Sequence, residues 1–403
     1  MRIKAANFYL ISLITLILIP IVGILNEYIF DEYNVYLFCI IFFFYFIYNM
    51  GAVKISLFKR STIYIFLLFI VYAICMAVPT PEFSYNLELV SLFCYFLFFL
   101  FGSFLFYSKK YISDLVWFLA FSYLFAYIGR ISIDLEGARQ GPNLSYGIGV
   151  LSFAPFVLMN FKKYTINYVR YTYILVIFLT LWCAVIGARA VTLGFIFFGS
   201  TFYLWPLITR FRFVYIAYFV TCLLIMSFAV LFYIFFITDP DFALASNSNI
   251  GILSKRVGTR LDIWLHLVQV IVQGDWLWGN GSNLKTVDLS PLAYLDFSMH
   301  RDNLSSHSTI FEVIYRVGVF GLSIFFILIF SIWSFMWKSR KSNLTRIVCS
   351  TIMMLIPICY SSTFLVFSAF HLKCAFVWVL FGFGYGYTLS IAKVRKSETN
   401  CLV

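Results

Sequence analysis

At 403 residues, with 63% hydrophobic and only 11% charged side chains, the chain falls far outside the composition of a soluble globular domain, which is roughly half apolar and about a quarter charged. Its apolar residues come in runs suited to membrane-spanning helices, not in the short alternation of an outer-membrane β-barrel. The formal net charge of +12 is spread over short connections between those runs, as orientation signals are, and not over one basic face, which argues against nucleic acid as a partner.

The N-terminus places Arg2 and Lys4 ahead of an apolar run, as a signal sequence does. No small-residue cleavage site follows, so it reads as an uncleaved first helix. Twelve spans are then expected, at roughly 8–25, 35–53, 62–78, 87–107, 113–133, 146–161, 171–188, 190–208, 213–237, 307–336, 347–367 and 369–391. The expected fold class is an all-α polytopic membrane protein of about twelve transmembrane helices. Residues 1–237 would hold spans one to nine, 238–306 one large loop, and 307–403 the last three spans and a tail. Eight of the nine cysteines lie in apolar runs, with Cys401 in the tail and no C-x-x-C pair, so neither a disulfide framework nor a thiolate metal site is expected.

The charges sort by side. Lys54, Lys59, Arg60, Lys109, Lys110, Lys162, Lys163, Arg170, Arg210, Arg212, Lys338, Arg340, Lys341 and Arg346 fall with the termini, whereas Glu27, Asp31, Glu32, Glu82, Glu88, Asp134 and Glu136 fall opposite. By the positive-inside rule both termini are cytoplasmic and the large loop is outside, which in a Gram-negative cell is the periplasm. Arg139, Arg189, Arg256, Arg260 and Arg301 fall on the outer side, where orientation does not call for them. Arg189, in GARAVTLG, is the only charge between Arg170 and Arg210 and stands where two spans meet with almost no loop. A charge so placed is costly and marks a functional position by default. The alternative is an arginine snorkelling to the outer headgroups.

From Ser254 to Leu322 runs the one long hydrophilic excursion, with His266, His300 and His307 and the basic residues Lys255, Arg256, Arg260, Lys285, Arg301 and Arg316. Within it TRLDIWLHLVQVIVQG has helical periodicity. Asp262, His266, Gln269 and Gln273 share one stripe, while Leu261, Ile263, Trp264, Leu267, Val268 and Ile271 take the other face, as in an amphipathic helix lying along the outer membrane–water interface. Thr259 and Asp262 have capping-box spacing. Arg260, at the first helical position, joins free backbone N–H groups and the positive dipole end, a setting that suits a phosphate. The alternative is an interfacial arginine touching lipid headgroups. His266 reads as a solvated or hydrogen-bonding histidine, and His300 takes no role. WLWGNG reads as a turn with interfacial aromatics, its glycines too few and wrongly spaced for a phosphate loop.

His307 stands in RDNLSSHSTIFEVIYRVGVFG, where the chain re-enters the membrane. Ser306 or Thr309 is the expected helix cap, and Thr309 with Glu312 has capping-box spacing. A histidine at a helix N-terminus is disfavoured as imidazolium, and so is expected neutral and able to accept a proton. Beside several arginines it suggests a base next to an anionic leaving group.

The pattern T-R-x-x-x-W (Arg260, Trp264), then G-x-G (Gly279, Gly281), then His307 ahead of a span with G-V-F-G (Gly318, Gly321) resembles the O-antigen polymerase and O-antigen ligase superfamily. Arg139 in GARQGPNLSYG and Arg189 fall where that superfamily carries arginines, and a twelve-span layout with one large outer loop, a GT-C-like architecture, is similar too. The resemblance implies a membrane glycosyltransferase with no metal or other cofactor, whose donor is a glycan on undecaprenyl diphosphate. His307 would deprotonate the acceptor hydroxyl. Arg139, Arg189 and Arg260 would hold the diphosphate, with Arg256 and Arg301 in support, because guanidinium groups stabilise departing negative charge bidentately. The superfamily's histidine is often followed by asparagine, whereas Ser308 follows here, which weighs against the ligase. The high aromatic content (Phe 50, Tyr 28) also favours a polymerase of surface polysaccharide in the inner membrane. Its partners would be the undecaprenyl-diphosphate-linked oligosaccharide, membrane lipid and a polysaccharide chain-length regulator. The competing expectations are the ligase, which moves the glycan onto lipid A-core, and a flippase of the same intermediate, which calls for broken helices at mid-membrane.

Overall fold

The computed structural model describes residues 61–77, 87–105, 177–178, 181, 189–237, 263–281, 308–361 and 372–400. The regular elements among them are helices: α1 (Ser61–Ala77), α2 (Leu87–Leu105), α3 (Arg189–Ile208), α4 (Arg212–Ile237), α5 (Ile263–Gln273), α6 (Thr309–Met336), a 3-10 turn (Trp337–Ser339), α7 (Asn343–Ser361) and α8 (Leu372–Asn400).

Among the described residues four helices are long and apolar enough to cross a membrane: Ala190–Ile208, Arg212–Val230, Thr309–Ser339 and Asn343–Tyr360. This corrects the expectation of about twelve transmembrane helices. The described residues carry eight α-helices in all, and four of them have apolar windows of membrane-spanning length. The apolar stretches of α1, α2 and α8 are Ser61–Ala77, Leu89–Leu100 and Val377–Ala392. Reading hydropathy alone counts each apolar run as a crossing, whether its helix stops short or spends its apolar face on protein. The runs expected at 8–25, 35–53, 113–133 and 146–161 lie outside the described residues.

The helices are apolar outside as well as inside. Leu67, Leu68 and Val71 on α1, Leu204 and Leu207 on α3, and Leu224, Ile225 and Phe228 on α4 are all exposed. A water-soluble protein does not present apolar faces on that scale. The protein is a multi-pass membrane protein.

In a bilayer, helices gain little from burying apolar area against each other, so close backbone contact and buried hydrogen bonds carry the association. Both are present. A Cβ at Gly382 or Gly386 of α8 would collide with the carbonyls of Phe99 or Ser103 on α2. That contact is possible only because the glycines at these two positions have no side chain. Around it Trp378 packs on Phe66, ring centroids 4.9 Å apart. On α6, Phe325 meets Phe69 and Phe320 meets Tyr72, at 5.8 and 5.2 Å. This order makes α1 antiparallel to α6.

The connections α3–α4 and α6–α7 lie side by side and form a basic end, with Arg210, Arg212, Lys338, Arg340, Lys341 and Arg346. Trp205 Nε1 donates to the Arg340 carbonyl at 2.9 Å, and Arg346 Nε donates to the Phe202 carbonyl at 2.5 Å. Beneath them Tyr215 stacks on Trp333 at 4.5 Å and its hydroxyl donates to the Trp333 carbonyl at 2.6 Å. The starts of α3 and α6 and the end of α7 are at the opposite end of the bundle.

Candidate functional site

At that opposite end α6 begins on Ser308, which has extended backbone (φ −150°, ψ 121°) and whose hydroxyl accepts from Phe311 N–H at 3.5 Å. The same hydroxyl lies 3.5 Å from the Cys359 carbonyl, tying the start of α6 to the end of α7. Ser308 is therefore the cap, in place of Ser306 or Thr309. Glu312 closes no capping box. It pairs one turn on with Arg316, whose Nη2 and Nε both reach Glu312 Oε1, at 2.6 and 2.7 Å. Both side chains are buried, at 4% and 7% exposed. A buried ion pair is weak evidence for stability, because desolvating both charges offsets most of their attraction. In a membrane span it is a candidate for function.

Two residues after Arg316, α6 breaks. Gly318 has φ 67° and ψ −177° inside the helix, a conformation that a residue with a Cβ adopts only under strain. The turn after α5 fills the break. Asn280 and Gly281 N–H donate to the carbonyls of Tyr315 and Arg316, at 2.8 and 2.9 Å, and Val319 and Phe320 N–H donate to the carbonyls of Trp276 and Leu277, at 3.0 and 3.2 Å. The groups that a helix break would leave unsatisfied in hydrocarbon are thus re-paired. The fit is close: a Cβ on Gly279 would lie 2.5 Å from the Arg316 carbonyl oxygen. The glycines of WLWGNG are explained by this contact with α6. Trp276 and Trp278 stay about half exposed, as interfacial aromatics do.

α5 covers the same segment. Ile263, Trp264, Leu267 and Ile271 are buried against Tyr315, with Phe311 and Ile314 alongside, while Gln269 and Gln273 face outward and His266 is half-buried. The expected apolar face is the one buried, but it packs on α6 rather than only on lipid. From Ser308 to Gly318 every residue of α6 except Phe311 and Ile314 is buried, so protein encloses this stretch.

Of the predicted site residues, Arg189 is the first residue of α3. Gly194, further along α3, lies against Met354 and Ile358 near the end of α7, the same end of α7 that Ser308 contacts. The starts of α3 and α6 are thereby brought to one end of the bundle. His307 immediately precedes the cap in sequence, and it lies outside the described residues, as do Arg139, Arg256, Arg260 and Arg301. The Glu312–Arg316 pair was not foreseen as a pair, although its i, i+4 spacing on an apolar helix is a readable signal. Among the described residues no three His, Cys, Asp or Glu side chains group as metal ligands would. Compared with protein-family models, with curated proteins and with solved structures, the chain has no match.

Proposed function

We propose that this protein is a surface-polysaccharide polymerase of the O-antigen type in the bacterial inner membrane. It transfers the growing glycan from undecaprenyl diphosphate to the sugar of an incoming lipid-linked repeat unit at the periplasmic face. The observation that supports the reading is that the starts of α3 and α6 lie at the same end of the bundle, each against the end of α7. A site made of Arg189 and the residue before Ser308 requires that arrangement. His307 takes the acceptor hydroxyl's proton, and Arg139, Arg189 and Arg260, with Arg256 and Arg301, hold the diphosphate as it leaves. A small, mostly apolar crevice lined by Leu223, Ile310, Phe326, Ile329, Leu355 and Tyr360 lies beside α6.

A lipopolysaccharide gel of a strain lacking the chain, complemented with wild type or His307→Ala, tests the proposal. Core carrying one repeat unit in the deletion strain, unrescued by His307→Ala, is the expected result. Bare core would make the protein the ligase. Normal ladders with His307→Ala would remove the proposed base.

The break at Gly318 favours a second reading, transport, since broken helices line the sites of many transporters. Against it, the backbone groups flanking this break are taken by the turn after α5 and are not left to bind cargo.

A further inference from the structure

We propose that the basic end of the bundle binds the headgroup of an anionic phospholipid, whose hydrocarbon chains lie along the exposed apolar flank of α3 and α4. This stands apart from the polymerase reading. The cations involved have no acid near them in sequence: no Asp or Glu occurs from residue 137 to 238 or from 313 to 397. Arg210 and Arg212 belong to the first stretch, and Lys338, Arg340, Lys341 and Arg346 to the second. Folding brings the two sets onto one surface. Trp205 Nε1 donates to the Arg340 carbonyl at 2.9 Å and Arg346 Nε to the Phe202 carbonyl at 2.5 Å, while the Trp337 and Tyr215 rings pack with centroids 5.1 Å apart. α8 reaches the same end, where Thr388 Oγ1 and Ser339 Oγ are 2.6 Å apart. Its last turns carry Lys393, Arg395 and Lys396, and Glu398 is its one acid. Arg210, Arg212, Lys338 and Lys341 are exposed, and among the described residues they make no ion pair.

Orientation requires only that cations fall on one side of the membrane, and cations spread over separate connections serve it equally well. Gathering them on one surface without acids adds mutual repulsion, which a bound anion relieves. What surrounds the cations sets the chemistry of that anion. Phe211 and Phe213 are 58% and 79% exposed and Leu207 is 62% exposed, so side chains suited to hydrocarbon alternate with Arg210 and Arg212. The connections are also short. α3 ends at Ile208 and α4 begins at Arg212, and α6 ends at Met336 with α7 beginning at Asn343. The cations are therefore held at the ends of the spans, at headgroup depth, and not on a domain that stands off to meet a soluble partner. A ligand with phosphate at that depth and hydrocarbon beneath it is a phospholipid. Lys and Arg at the membrane surface favour anionic lipids, whereas a zwitterionic headgroup would bring its own ammonium against the same cations.

The test uses the full chain purified in detergent and titrated with phosphatidylglycerol or phosphatidylcholine, with bound lipid read by native mass spectrometry. Wild type is expected to bind phosphatidylglycerol saturably and at least about tenfold more tightly than phosphatidylcholine. The difference should shrink as salt is raised, because exposed cations are screened. Equal affinity for the two lipids would overturn the proposal on unmutated protein, whatever becomes of the variants. Arg210→Gln/Arg212→Gln/Lys341→Gln should weaken phosphatidylglycerol by about 10–100-fold, at about fivefold per cation, and leave phosphatidylcholine unchanged. Arg340 and Arg346 are kept, since their guanidinium groups lie over Trp337 and Phe202. A control, Lys162→Gln/Lys163→Gln/Arg170→Gln, removes the same charge from another connection and should bind phosphatidylglycerol as wild type does. Unchanged affinity in the first variant would show that this surface does not bind the lipid. An equal loss in the control would assign the attraction to net charge and not to this surface. Glycerol phosphate, the headgroup without its chains, should fail to displace the lipid when present at the same concentration. Displacement there would make this a site for free phosphate, and the lipid proposal would fall.

Discussion

The two ends of α6 treat charge in opposite ways. At the basic end, Arg340 and Arg346 lie half-buried over the rings of Trp337 and Phe202, at 4.2 and 3.9 Å, and Lys338 reaches over Phe335 at 5.0 Å. Their charged heads lie over aromatic faces at half-buried or exposed positions, an arrangement that costs little. At the opposite end Glu312 and Arg316 are buried together as an ion pair. There desolvation offsets much of the attraction between the two charges. A charge at the first end orients the chain and tolerates replacement. A charge at the second is buried against an opposite charge, and a protein that needed only a stable helix would have placed apolar residues there.

The largest effect expected from that contrast comes from breaking the pair on one side. Arg316→Ala should destabilise the protein by about 3–5 kcal/mol, because it leaves a buried carboxylate without its guanidinium. Thermal unfolding in detergent reads this directly. A loss below about 1 kcal/mol would mean that water reaches Glu312 and that the two ends do not differ as described.

The next effect tests whether the enclosed end depends on the clamp. Gly318→Ala places a Cβ against the backbone of Leu277 and Trp278 at a residue with φ 67°. The strain is worth about 1–3 kcal/mol, and the turn from Trp276 to Gly281 must move or α6 must straighten. Amide exchange at Asn280 and Gly281 should accelerate more than exchange in α7. Equal acceleration throughout would show a loss of global stability without local release of the turn.

The reason for both effects was only partly legible in the sequence. The apolar run expected at 213–237 became α4 at Arg212–Ile237, and the run at 307–336 became α6 at Thr309–Met336, since continuous apolarity marks a buried helix directly. The stripe on α5 was legible from its helical period of apolar and polar residues. The cap was not, because Ser306, Ser308 and Thr309 are chemically competent alike, and only the contact with the end of α7 selects Ser308. Nor was the break at Gly318, since a glycine in an apolar span reads as close packing, and the groups that make a break tolerable come from a turn about 40 residues upstream. The number of crossings did not follow from apolar runs alone: among the described residues four helices have apolar windows of membrane-spanning length. Of the site, Arg189 could be placed at a helix start from its isolation among apolar residues, whereas the other arginines and His307 lie outside the described residues.

The smallest effect belongs to the basic end and decides whether the comparison stands. Arg340→Ala removes a guanidinium 4.2 Å above Trp337 and a 3.4 Å bond from its Nη1 to the Trp337 carbonyl. It keeps the Arg340 carbonyl, which accepts from Trp205 and joins the two connections. Since the contact across this end is made by the main chain, alanine preserves it. The expected loss is only about 0.5–1 kcal/mol, the worth of an exposed cation–π contact, in the same unfolding assay as Arg316→Ala. A loss equal to that of Arg316→Ala would place Arg340 inside the packed structure, and burial would then no longer be what separates the two ends.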